Sequence, residues 1–120
     1  MTTRVLLIDD HELIRQGLAR AFERDDEMTV VGQAGSVAEG ISAFGDLDPD
    51  VVVTDLELPD GHGLDVVRQV RDSSDAVGLV VLTMHAGDDH IFAAMEAGAS
   101  AFVGKDSKAT DVVSAARHAA

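Results

Sequence analysis

The chain contains no cysteine, no tryptophan and no tyrosine, only two prolines, and nine basic residues against 22 acidic ones over 120 residues. The missing cysteines exclude disulfides and thiolate metal sites, which suits a reducing compartment. The shortage of lysine and arginine leaves a formal net charge of −13. Such a field repels nucleic acid, so this segment is not expected to bind DNA itself. Cations, or the basic face of a partner, fit it better. No apolar run approaches the roughly 20 residues of a membrane span, so no membrane partner is expected. Met1-Thr2-Thr3-Arg4 passes straight into a strand pattern without the apolar segment of a signal peptide. Repeats, low-complexity tracts and internal linkers are absent from the sequence. One cytoplasmic domain over residues 1–120 is the expectation.

Four short apolar runs stand out, because each ends in a polar residue suited to chemistry. Val5-Leu6-Leu7-Ile8 leads into Asp9-Asp10, and Val51-Val52-Val53-Thr54 into Asp55. Leu79-Val80-Val81-Leu82 leads into Thr83, and Ala101-Phe102-Val103-Gly104 into Lys105. If these runs are parallel strands, three carboxylates, a hydroxyl and an ammonium emerge at one edge of one sheet. Ligands of open α/β sheets bind there, outside the carboxyl ends of the strands.

Strand and helix patterns alternate along the whole chain. Strands are expected over residues 4–8, 29–32, 51–54, 78–82 and 101–103. Helical spacing runs over 12–24, with Leu13, Ile14, Gly17, Leu18, Ala21 and Phe22 on its apolar face. Ser36 is an expected N-cap, with Glu39 completing a capping box, for a helix to about residue 44. Pro59-Asp60-Gly61 forms a turn. Leu64, Val67, Val70 and Arg71 trace a third helix. A fourth, capped by Asp88 or Asp89, reaches Ala97 and stops at Gly98. A fifth begins near residue 107 and carries Val112, Val113, Ala116 and Ala119. The pattern is (βα)5: a doubly wound α/β fold with a five-stranded parallel sheet and helices on both faces. Spacing alone does not give the strand order. The chain ends at Ala120 inside a helical pattern without a cap, so a continuation is expected.

The acidic pair Asp9-Asp10, Asp55 within Val53-Thr54-Asp55-Leu56-Glu57-Leu58-Pro59-Asp60-Gly61, the strand-end Thr83 and the strand-end Lys105 resemble the receiver domain of bacterial two-component response regulators. The likeness covers residues 4–118. The stretches 9–18 and 96–106 look most like the NarL/FixJ/LuxR-type subfamily, whose members carry a helix-turn-helix output domain. The resemblance implies a CheY-like fold with strand order 2-1-3-4-5, as in flavodoxin. It also implies a DNA-binding domain beyond the present chain, and a function in transcription regulation.

The residue types suit that chemistry. Two like charges about 4 Å apart cost roughly 4 kcal/mol at an effective dielectric near 20, so three clustered carboxylates require a cation. An all-oxygen site favours Mg2+, with Mn2+ as the alternative, over zinc. The resemblance makes Asp10, Asp55 and the Glu57 backbone carbonyl direct ligands, and has Asp9 act mainly through water. A carboxylate can accept a phosphoryl group, and the resemblance assigns that role to Asp55, with a sensor histidine kinase as donor. Acetyl phosphate is a small substitute donor. Lys105 and Thr83 would contact the phosphoryl oxygens. Thr83 and Phe102 would then switch the face of the fourth helix, fifth strand and fifth helix, favouring a homodimer or another partner. Glu57 and His85 fall where the family tunes the hydrolysis of the aspartyl phosphate.

Plainer readings stand beside these. Asp10 alone could be the N-cap of the first helix, Asp55 a turn residue, Thr83 a strand residue and Lys105 a solvated charge. Phe102 belongs to the core under any reading. Ile14 could pack in the core or help dock a kinase. His11, His62, His85, His90 and His118 are scattered without metal-ligand spacing, so no zinc site is expected. Asp106 replaces the proline that follows the lysine in many receivers, which excludes a cis-proline there. Two other functions remain open. One is a phosphohydrolase of the haloacid-dehalogenase type, against which count the Leu56-Glu57 that follows Asp55 and the lack of room for a cap domain. The other is a phosphorylation-independent interaction domain. The expectation is a non-enzyme that catalyses only its own phosphorylation and dephosphorylation.

Overall fold

A computed structural model of the protein describes residues 2–83, 89–105 and 107–120, the side chains of 89–92 excepted. The elements follow one another as β1 (Thr3–Ile8), α1 (Glu12–Glu23), β2 (Met28–Ala34), α2 (Val37–Leu47), β3 (Val51–Asp55), β4 (Glu57–Leu58), β5 (Gly61–His62), α3 (Gly63–Ser73), β6 (Gly78–Thr83), α4 (Asp89–Ala97), β7 (Ala101–Gly104) and α5 (Ala109–Ala119). The main sheet is parallel throughout, in the order β2-β1-β3-β6-β7. Because the small antiparallel pair β4-β5 takes two labels, this is the 2-1-3-4-5 order of the five main strands. The hairpin around Pro59-Asp60 was expected only as a turn. Its two-residue strands are too short to show a period.

Strand parity divides the interior in two. Leu6, Ile8, Val52, Leu79 and Val81 face α2, α3 and α4, where they meet Leu64, Val67, Val70 and Ala94. Val5, Leu7, Val51, Val53, Val80 and Leu82 face α1 and α5, where they meet Leu18, Phe22, Val112, Val113 and Ala116. Central strands covered on both faces need apolar residues at consecutive positions, and β1, β3 and β6 have them.

The helix ends depart from expectation in instructive ways. Ser36 does cap α2, accepting the Glu39 N–H at 3.1 Å. Glu39, however, reaches back to the Gly35 N–H (3.0 Å) rather than to that of Ser36. Asp60, 22 and 23 residues away, accepts the Ala38 and Val37 N–H groups (3.0 and 2.7 Å). Those bonds hold the Asp60 carboxyl below the usual carboxylate range. The α1 N-cap is His11, not Asp10, and its side chain makes no capping bond. Gly98 ends α4 at φ +116°, a left-handed conformation that glycine adopts freely. Asp88 lies outside the described residues.

The apolar face of α1 is narrower than its spacing suggests. Leu18 and Phe22 are buried, but Leu13 is 84% exposed and Ile14 lies at the surface beside a cavity of about 160 Å3. Leu13 lies on the side of the helix away from Leu18 and Phe22, and Ile14 reaches the end of the sheet at Leu82 and Gly104.

Candidate functional site

Register carries the polar groups to one edge. Ile8 pairs with Thr54, so the next residues, Asp9 and Asp55, are neighbours. Asp55 pairs with Leu82, which puts Thr83 one step further along, and Thr83 pairs with Gly104, the residue before Lys105. The Lys105 N–H donates to the Thr83 carbonyl at 2.8 Å, extending that ladder. Asp9, Asp55 and Thr83 are all buried, at 1, 3 and 5% exposure. Asp10 projects outward.

One cation holds these acids together. Lys105 Nζ lies 2.6 Å from Asp55 Oδ2 and 3.1 Å from Asp9 Oδ2, with its side chain almost wholly buried. Burial lowers the affinity of Lys105 for its proton, but hydrogen bonds and charge from Asp55 and Asp9 outweigh it and leave the ammonium above its ordinary range. At Asp55 the balance falls the other way. Burial pushes its carboxyl up, and the negative Asp9 adds to this, against the pull of Lys105 and the Glu57 N–H. That N–H meets Asp55 Oδ1 at 3.3 Å. Two carboxylates therefore share one ammonium, and the site remains short of positive charge. Asp9 Oδ2 records the shortage: it is buried, has Lys105 beside it, and lacks a hydrogen bond among the described residues.

Two buried carboxylates sharing one ammonium, in an oxygen-rich donor set, fit a hard divalent cation. Atoms of Asp9, Asp10, His11 and Asp55 able to ligate a metal all lie within 4.8 Å of one another. The expected acids are thus brought together, and His11 joins them although its spacing gave no sign. Glu57 is exposed, with its N–H turned to Asp55. Parity with Leu79 and Val81 places Thr83 on the α3–α4 side of the sheet, the side where Phe102 packs, half-buried. Asp55, in parity with Val51 and Val53, belongs to the opposite side. His85 lies outside the described residues.

Two further residues shape the site without having been expected. Gly63, the first residue of α3, passes so close to β3 that a Cβ there would lie 2.1 Å from the Asp55 carbonyl oxygen. No larger residue fits while α3 stays in place. Arg15 donates to the Asp9 carbonyl at 2.5 Å and to Gln33 at 3.2 Å, tying α1 to the site. A glycine in a turn and an arginine on an exposed helix face are too common to signal either role.

Residues 5–117 match the family described as the response regulator receiver domain. Among curated proteins, the chain is 39% identical over 114 residues to the DNA-binding transcriptional activator DevR/DosR of Mycobacterium tuberculosis, covering 95% of this chain and 52% of that protein. It is also 39% identical over 117 residues to the transcriptional regulatory protein LiaR of Bacillus subtilis, covering 97% and 55%. The chain thus spans about half the length of these relatives. Among solved structures, a LuxR-family two-component response regulator from an Aurantimonas species superposes with a TM-score of 0.90 at 36% identity, covering 98% of this chain and 84% of that one. The family match over nearly the whole length favours the receiver over the phosphohydrolase alternative. With this fold, this sheet edge and these relatives, the chain belongs to the family of response regulator receiver domains.

Proposed function

We propose that Asp55 is the phosphoacceptor of a signalling switch. One observation carries the reading: buried Asp55 stands 2.6 Å from the Lys105 ammonium, beside a second buried carboxylate, at the sheet edge where α/β folds bind ligands. An Asp55 oxygen attacks phosphorus of a phosphohistidine on a sensor kinase. The P–O bond forms, the P–N bond breaks, and the leaving imidazole takes up a proton. Lys105 moves from the carboxylate to a phosphoryl oxygen, and Thr83 donates its hydroxyl to another. Asp9, Asp10, Asp55 and the Glu57 carbonyl hold Mg2+ or Mn2+. When bound, that ion neutralises charge on the acids and the phosphoryl group.

The added phosphoryl group brings a charge of about −1.5 to −2. Drawing Thr83 toward it vacates space on the side of the sheet that holds Phe102. The surface of α4, β7 and α5 responds and favours a homodimer or another partner. Glu57 and His85 set the lifetime of the aspartyl phosphate. The module works in the cytoplasm, turns over only its own phosphoryl group, and controls a DNA-binding domain elsewhere in a longer protein. The relatives named as transcriptional regulators support that last step.

Mass spectrometry after incubation with Mg2+ and acetyl phosphate tests the reading. One phosphoryl adduct is expected in the wild type and none in Asp55→Asn. An unmodified wild type would instead favour a phosphorylation-independent interaction domain.

A further inference from the structure

We infer that His11 supplies a nitrogen ligand at the acidic edge and thereby biases the site toward divalent transition metals such as Mn2+, Co2+ or Ni2+ beyond what its carboxylates alone would do. The inference rests on the reading that these acids hold a divalent cation.

The backbone fixes His11 against the site. As N-cap of α1 it is extended, at φ −85° and ψ 100°, and its N–H donates to Asp9 Oδ1 at 2.8 Å. The ring is 58% exposed, yet Nδ1 turns inward. It lies 3.1 Å from Lys105 Nζ, 3.2 Å from Asp9 Oδ1 and 3.4 Å from Asp10 Oδ1. Nδ1 is the ring nitrogen on the side of the acids, and a divalent cation there would take it in its unprotonated form. An imidazole nitrogen therefore stands where the carboxylates converge.

Two observations say that a cation belongs there. Among the described residues, buried Asp9 Oδ2 has only the Lys105 ammonium at 3.1 Å for a partner, and shares it with Asp55. Lys105 Nζ already touches Asp9, Asp55 and His11 together, as a cation among the donors a metal would use. The ammonium accepts oxygen or nitrogen partners alike; a metal distinguishes them. Mg2+ takes oxygen ligands and gains little from an imidazole. The first-row series binds imidazole with affinity rising from Mn2+ through Co2+ to Ni2+.

The test measures Mg2+ and Co2+ affinities of the untagged chain by calorimetry, together with the visible d–d absorption of bound Co2+. Asparagine is a good N-cap residue, so His11→Asn keeps the start of α1 while replacing nitrogen with oxygen. His11→Ala removes the donor altogether. Asp55→Asn retains every other histidine and sets the baseline for Co2+ bound elsewhere. We expect His11→Asn and His11→Ala to weaken Co2+ by about tenfold or more and to alter its spectrum. Mg2+ affinity should stay within about threefold, as befits an ion that takes oxygen ligands. Equal losses for both metals, or an unchanged Co2+ affinity, would overturn the inference while leaving the acidic metal site standing. A wild type that binds neither metal above the Asp55→Asn baseline would overturn that underlying reading, and this inference with it.

Discussion

The same strands behave differently along their length. Within the sheet, β1, β3 and β6 present aliphatic side chains to helices on both faces, and every contact there favours folding. At the carboxyl ends of β1 and β3, beside the end of β7, two buried carboxylates and one ammonium stand together, and at Asp55 burial opposes the charged form. Stability resides in the body of the strands. The edge holds its charges ready for a ligand at some expense to that stability.

Substitutions in the two regions should therefore differ in size, in sign and in their response to metal. The largest effect belongs to the interior. Phe22 is fully buried, and Phe22→Ala should lower stability by about 3–5 kcal/mol. Mg2+ added to this variant should raise its melting temperature as much as it raises that of the wild type, because no site residue has changed. Next comes Lys105→Met, which strips Asp9 and Asp55 of their shared cation. Loss of one partner from a buried pair costs about 3 kcal/mol. Denaturant unfolding should show that deficit without metal and, in saturating Mg2+, a gain larger than the one wild type and Phe22→Ala share.

The smallest effect has the opposite sign. Asp55→Asn removes a carboxylate whose charged form burial and Asp9 disfavour, and leaves Lys105 paired with Asp9, so it should slightly stabilise the chain at neutral pH. The folded-state carboxyl of Asp55 lies above its unfolded value. Its contribution is thus fully present below about pH 3.9 and is lost as pH rises through the raised folded value. Unfolding free energies followed from acid to neutral pH should fall more for wild type than for Asp55→Asn; parallel curves would show that Asp55 is not strained by its burial.

Much of this contrast was legible in the sequence, because the apolar runs and the polar residues closing them are continuous. Runs such as Val51-Val52-Val53, short and β-branched, read as strands covered on both faces, and their ends mark the site. The strand order required the family resemblance, since crossover lengths alone allow several orders. What escaped was contact between segments remote in sequence. Asp60 reads as a turn residue until α2 is seen resting on it. His11 was missed although Asp9 and Asp10 directly precede it, because its ring meets a full donor set only once Asp55 of β3 and Lys105 after β7 close on the same point. Gly63 became intelligible only once α3 lay against the Asp55 carbonyl. Leu13 lies on the side of α1 away from Leu18 and Phe22, so it stays exposed although it falls within the apolar stretch.

The most direct measurement is the melting temperature of the wild type and of an Asp9→Asn/Asp55→Asn double variant, each with and without Mg2+. A site that lacks positive charge predicts that Mg2+ at about 100 times its dissociation constant adds roughly 2.7 kcal/mol to the wild type, a rise of several degrees. The double variant should melt at the same temperature in both conditions. An equal rise in the two proteins, or no rise in the wild type, would contradict the claim that the acids of this sheet edge hold a divalent cation.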